Sequence, residues 1–323
     1  METRYLQLTA RLGAWVMLAV AGANCGAASQ AGAGSPNLEY AGGAQGRLAF
    51  VEKGVLFVVN AKGGDASQVV NLGNDQRVSS PSWEADDSSL VFTVQVPDTP
   101  PQLWMIRVGG RIPYQILQDG AYGAYDPAFA PDGHSVVFSR CRARDGACAI
   151  YSVATDGTEL HAITQFQEGV RDMSPAWSPD GSTVAIARET EGRGGIYLIS
   201  GDGSRLRRLT PGEIDGAHPD WSPDGHRIAF DGSAASAKAH GIWSIAPDGT
   251  GLASIAHLTG IHESHAPENG TYRKPSWSPD GSTIAFLKTG RGGPAILLMD
   301  GSGVPRGFRP GEEPKWSQTP RTW

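Results

Sequence analysis

The sequence predicts an all-β fold, a six-bladed β-propeller of four-stranded blades, on three observations. A Pro-x-aromatic segment followed by a Ser-Pro-Asp-Gly turn recurs along the chain. Its copies are spaced as propeller blades are, and no stretch after residue 45 carries a sustained 3.6-residue apolar period. Composition agrees, because 43 Gly and 22 Pro in 323 residues supply turns while charged residues make up only 19%.

The anchor segment comes first in each unit. Full copies are Pro175-Ala-Trp177-Ser-Pro-Asp180-Gly181, Pro219-Asp-Trp221-Ser-Pro-Asp224-Gly225 and Pro275-Ser-Trp277-Ser-Pro-Asp280-Gly281. Weaker copies are Pro127-Ala-Phe129-Ala-Pro-Asp132-Gly133 and Pro81-Ser-Trp83-Glu-Ala-Asp86-Asp87, with a truncated Pro314-Lys-Trp316-Ser317 near the C-terminus. The anchor aromatics are spaced by 46, 48, 44, 56 and 39 residues, against about 40–50 for one blade.

A fixed order of strands follows each anchor. In the turn, Pro sets φ and Gly accepts positive φ. The second strand is Val136-Val-Phe-Ser, Val184-Ala-Ile-Ala, Ile228-Ala-Phe or Ile284-Ala-Phe-Leu, and the third is Ile150-Tyr-Ser-Val or its equivalents at Ile196, Ile242 and Ile296. A Gly turn then leads to a short outer strand, as at Leu209-Thr210. Residues 47–72 hold three strands with no anchor before them, and Pro314-Lys-Trp316 is an anchor with no strands after it. Pairing the N-terminal strands with this C-terminal inner strand closes the ring and removes free sheet edges.

The N-terminus reads as an export signal over residues 1–25. Arg4 and Arg11 precede the apolar run Leu12–Ala23, which is too short to span a bilayer as a helix. Ala21-Gly-Ala23 suits signal peptidase, which makes plain secretion the preferred reading. Cys25 supplies the alternative of lipidation as in bacterial lipoproteins, although Asn24 and Gly22 depart from that pattern. Residues 26–46, rich in Gly, Ala and Ser, read as a flexible tether, and 47–323 as the propeller. Cys141 and Cys148 flank a short loop between two strands and read as a disulfide in an exported chain. The net charge of −6 with interspersed signs shows no basic stripe, so no nucleic-acid partner is expected.

The Pro-x-Trp-Ser-Pro-Asp-Gly repeat ending in Leu-Thr resembles the WD40-like (PD40) repeat of the TolB propeller family over nearly the whole chain after residue 45. That family also carries an N-terminal α/β domain, for which this sequence leaves no room. The resemblance therefore implies the propeller part only. The prolyl-oligopeptidase arrangement is not implied, because no Gly-x-Ser-x-Gly elbow occurs.

Function is expected in what does not repeat. The anchor Trp residues read as fillers of equivalent gaps between blades, and Asp180, Asp224 and Asp280 as turn acceptors. The residues just before each anchor Pro are Ser80, Asp126, Ser174, His218, Lys274 and Glu313, and they are expected at the channel mouth. Together with the loops between blades they give a partner-binding set of Asp126, Asp172, His218, His262, His265 and Lys274. Mixed signs suit a peptide or zwitterionic ligand. The loop 260–274 holds His262 and His265 beside Glu263, but a loop lacks the helical geometry of a specific zinc motif, and no metal or cofactor is expected. The expectation is a monomeric exported scaffold, periplasmic or extracellular, that binds a protein or peptide of the cell envelope and meets the membrane only through a lipid on Cys25. The alternative is a metal-dependent lyase or hydrolase acting on a saccharide or peptide in the channel.

Overall fold

A computed structural model describes residues 46–73, 75–234, 240–256, 271–290 and 293–318. The leader, the tether up to residue 45, Cys25, His262 and His265 lie outside the described residues. Those described contain 24 strands and no helix.

In chain order the strands are β1 (Arg47–Glu52), β2 (Val55–Asn60), β3 (Ser67–Val70), β4 (Arg77–Trp83), β5 (Ser89–Gln95), β6 (Gln102–Arg107), β7 (Tyr114–Leu117) and β8 (Tyr122–Phe129). They continue as β9 (Ser135–Arg142), β10 (Cys148–Ala154), β11 (His161–Ala162), β12 (Val170–Trp177), β13 (Thr183–Thr190), β14 (Arg193–Ser200), β15 (Arg207–Arg208) and β16 (Ile214–Trp221). The last are β17 (Ile228–Ala234), β18 (Gly241–Ile245), β19 (Ala253–Ala256), β20 (Thr271–Trp277), β21 (Thr283–Thr289), β22 (Ala295–Asp300), β23 (Arg306–Pro310) and β24 (Glu312–Trp316).

The result is an all-β propeller. Four sheets have four strands each, ordered β24-β1-β2-β3, β4-β5-β6-β7, β16-β17-β18-β19 and β20-β21-β22-β23. Strands β8–β15 form one eight-stranded sheet where two separate blades are expected. The cause is local: β10 touches β12 in parallel through a single pair, Cys148 with Arg171. The C-terminal strand β24 pairs antiparallel with β1, setting Leu48 against Trp316.

The core lies between consecutive strand sets. Six apolar clusters occur among the described residues, and each takes side chains from two neighbouring sets plus one anchor aromatic. Trp83, for example, packs with Ala49 and Leu56 from one set and with Leu90 and Phe92 from its own. Burial of such large rings drives the face-to-face stacking of the sheets. Trp83 and Trp316 are fully buried, whereas Trp177, Trp221 and Trp277 are only partly so. These three therefore do more than fill gaps, since they also wall the channel at its turn end.

The Ser-Pro-Asp-Gly turns are self-contained. Asp180 accepts from the Ser178 hydroxyl at 2.6 Å and from the Ser182 N–H at 3.0 Å, while Gly181 takes φ +70°. Asp224 and Asp280 repeat the pattern. These hydrogen bonds hold the Asp180 and Asp224 carboxyls below the usual carboxylate range.

Candidate functional site: a polar ring in the channel

The site originates in a backbone irregularity that every inner strand shares. Ser80, Asp126, Ser174, His218, Lys274 and Glu313 all have positive φ, between 47° and 54°. Positive φ is uncommon outside Gly, and a following Pro normally drives a residue to extended backbone. Each of these residues sits in a bulge where the register with the next strand shifts, as between Tyr125 and Ala128 or between Ala217 and Asp220. The bulge turns its side chain out of strand alternation and into the channel. All six line one small cavity of about 90 Å³.

Hydrogen bonds run around this ring. Asp126 accepts the Ser80 hydroxyl at 2.7 Å and the Ser174 hydroxyl at 3.0 Å, so it is bonded to both neighbours. The Ser80 N–H donates to Glu313, whose other oxygen takes the Lys274 ammonium at 2.5 Å. His218 Nδ1 meets Asp231 Oδ1 at 2.7 Å, and the Lys274 N–H donates to the same oxygen at 3.0 Å. A second tier lies two residues further along: Asp220 pairs with Lys315 and accepts the Trp277 N–H at 2.8 Å.

Charge and burial compete here. Burial opposes ionisation of Asp126, but Lys274, His218 and the two serine hydroxyls outweigh it and hold the carboxyl below its usual range. Burial likewise works against the His218 cation, and the charge and hydrogen bond of Asp231 overcome it, raising His218. Lys274 is raised against burial by Glu313 first and then by Asp126. The ring is thus a set of mutually stabilised opposite charges.

Two further cavities open from the channel. Towards the Ser-Pro-Asp-Gly turns lies a space of about 290 Å³ walled by Trp177, Trp221, Trp277 and the turn prolines Pro131, Pro179 and Pro223. A pocket of about 680 Å³ adjoins Asp126, with Pro100, Pro101, Tyr125, Arg171 and the Cys141–Cys148 pair in its wall. Cys141 and Cys148 face each other across β9 and β10 and are bonded, with Cα atoms 4.1 Å apart.

Of the sequence-derived binding set, Asp126, His218 and Lys274 come together, and they do so from within inner strands rather than from loops. Asp172 does not join them. It is fully buried and makes a two-pronged bond to Arg188, at 2.6 and 2.8 Å, on the neighbouring strand. Strand alternation explains this: Asp172 shares a face with buried Val170, while Arg171 between them is exposed. Asp231 and His240 belong to the site and were missed. Asp231 had a signal, because it stands where the other second strands carry Val51, Thr93, Ser139, Ala187 and Leu287. His240 had none.

A closed array of antiparallel sheets with non-repeating polar side chains on its axis defines a propeller with a functionalised channel. The chain is similar to TolB-like propellers: residues 165–300 match the family described as PD40, TolB beta propeller domain. A protein TolB homolog of Chlorobium luteolum is 29% identical over 178 residues, covering 54% of this chain and 36% of that protein. An uncharacterized protein of Agrobacterium fabrum is 30% identical over 175 residues, covering 51% of this chain and 55% of that one. The match thus spans about a third to about half the length of these curated relatives. Among solved structures, TolB from Acinetobacter baumannii superposes with a TM-score of 0.68 at 19% identity, over 84% of this chain and 66% of that one.

Proposed function

We propose that this protein is an exported six-bladed propeller, with β8–β11 and β12–β15 counted as separate blades, whose channel ring binds a protein or peptide of the cell envelope. The observation that carries the reading is the pre-proline ring. Six strained backbone positions present two carboxylates, an ammonium, an imidazole and two hydroxyls to one cavity. Local strain of this kind persists where the surrounding structure enforces it, and it concentrates at functional sites. Paired opposite charges on a rigid frame suit a ligand that carries both signs, such as a peptide segment. The scaffold role fits a fold that hosts function on one variable face. Among the described residues no helix is long and apolar enough to cross a membrane. Export rests on the sequence of residues 1–25.

Photo-crosslinking tests the reading. A benzophenone amino acid is placed at Tyr125, exposed in the pocket beside Asp126, or at Leu160, exposed beside the outer strand β11. Irradiation in the envelope fraction is expected to give a discrete protein adduct from the Tyr125 position alone, lost on Lys274→Ala. Equal adducts from both positions, or an adduct indifferent to Lys274→Ala, would sink the ring as the binding site.

A further inference from the structure

The far end of the channel is walled by three indoles and lacks one of its turns. Trp177, Trp221 and Trp277 are each partly exposed on the cavity of about 290 Å³. Strands β4, β8, β12, β16 and β20 all reach this end, and each is followed by a tight turn into the second strand of its set. Strand β24 is different. Its neighbour β1 is already paired on both sides, with β24 and with β2, so the residues after Trp316 have no strand to turn into among those described. Ser317 and Gln318 stand where β20 is followed by Ser278 and Pro279, and both line the cavity. The Ser317 N–H donates to the Arg47 carbonyl at 2.7 Å, as the Ser278 N–H donates to Thr283 at 2.7 Å. The Gln318 N–H donates to Asp87 Oδ1 at 2.8 Å, which fixes the point where the chain leaves the sheet. That point is the mouth of the indole-walled cavity.

The sequence goes on as Thr319-Pro320-Arg321-Thr322-Trp323, and five extended residues reach about 17 Å. We propose that residues 319–323 dock in this cavity, Trp323 against the indole wall and Arg321 on the carboxylates of the rim. The channel is then closed at this end, and the polar ring is reached from the opposite mouth. Ring against ring is the favourable pairing for Trp323 and Pro320, because the wall consists of indoles and turn prolines. Charge agrees as well. The turns on either side of β24 carry Asp86 and Asp280 directly after Ala85 and Pro279, which line the cavity. Lys315, the ammonium in the cavity wall, is already paired with Asp220. Residues 26–45 join the fold at the same end, since Gly46 abuts Pro279 and Ser317. Their sole charge is Glu39, which the rim carboxylates repel, so they do not match the site. The docking does not depend on what the polar ring binds.

The test compares the full chain with one ending at Gln318, which keeps every described strand. The indole N–H signals of Trp177, Trp221 and Trp277, assigned by Trp→Phe substitution, are expected to shift in NMR spectra when residues 319–323 are removed. The synthetic peptide Thr-Pro-Arg-Thr-Trp should restore those shifts in the shortened chain, saturably, and should leave the full chain unchanged because its site is filled. A peptide with Glu in place of Arg321 should bind about fivefold more weakly, and one with Ala in place of Trp323 should give no saturable shift. A benzophenone amino acid at position 323 of the full chain should crosslink within the same chain to the segments holding Trp177, Trp221 or Trp277. Indole signals identical in the two chains, or a peptide that binds both equally, would overturn the docking. So would a crosslink to residues 26–45, or one that joins two chains and so makes a second copy the occupant. Any of these results leaves the binding reading of the polar ring untouched, and its own test is the Tyr125 adduct.

Discussion

Asp172→Ala removes a buried charge from a place that sequence alone marks as a binding residue, and its cost can be worked from the structure. The carboxylate is fully buried and bonded through both oxygens to Arg188, whose side chain is 16% exposed and lies over the Tyr197 ring at 5.6 Å. Deleting one partner of such a pair strands the other in low dielectric, which costs about 3–5 kcal/mol. Arg188 keeps some access to water, so the lower end, about 3 kcal/mol, is expected. At roughly 2–4 °C per kcal/mol for a chain of this size, the melting temperature should fall by about 6–12 °C. Removing both charges in Asp172→Ala/Arg188→Met leaves no orphan and should recover more than half of that loss. Calorimetry on the two variants measures both quantities, and adduct yield at Tyr125 should be unaffected below the transition. A single variant that melts within about 2 °C of wild type would refute the reasoning, as would a double variant no better than the single.

Other expectations follow from the same geometry. The ring should stabilise the fold over a limited pH window. The depressed Asp126 contributes stability that is present above the unfolded carboxyl value of 3.8 and lost as pH falls through its folded value. The raised His218 contributes stability that is present below 6.5 and lost as pH rises through its folded value. Melting curves against pH should therefore lose their acid limb in Asp126→Asn and their alkaline limb in His218→Gln, and unchanged limbs would contradict the assignment. Gly232→Ala should destabilise by about 1–3 kcal/mol, read by melting, because its Cβ would stand 2.2 Å from the Asp215 carbonyl oxygen. Cys141→Ser/Cys148→Ser opens a loop closed over a separation of 7 residues and should cost about 2–3 kcal/mol from chain entropy, measured by melting against the oxidised wild type.

The repeat was legible because packing demands it: every gap between strand sets needs one large ring, so Trp83, Phe129, Trp177, Trp221, Trp277 and Trp316 return at blade spacing. The pairing of β24 with β1 could be read for the same reason, since an anchor without strands and strands without an anchor complete each other. Contacts between blades were less legible. Asp231 and Lys274 are 43 residues apart and meet only because a bulge in β20 aims the Lys274 N–H at β17. Asp172 was misplaced because the sequence assigns it to a loop between blades, whereas it lies within β12 and alternation sends it into the blade against Arg188.

The pre-proline positions carry the deeper lesson. Local rules assign an extended backbone to a residue before Pro, and six residues depart from it together at φ values within a few degrees of one another. Side-chain chemistry cannot be the cause, because Ser, Asp, His, Lys and Glu all adopt the same conformation. The common factor is the shared register shift of the inner strands, and at three of them the next anchor's N–H reaches a side-chain acceptor: Phe129 N–H to Ser82, Trp277 N–H to Asp220, Trp316 N–H to Ser276. The shared bulge, not the chemistry of any one residue, sets these six side chains towards one cavity. The fold fixes where the ring stands, and the choice of residue at each position is left free for function.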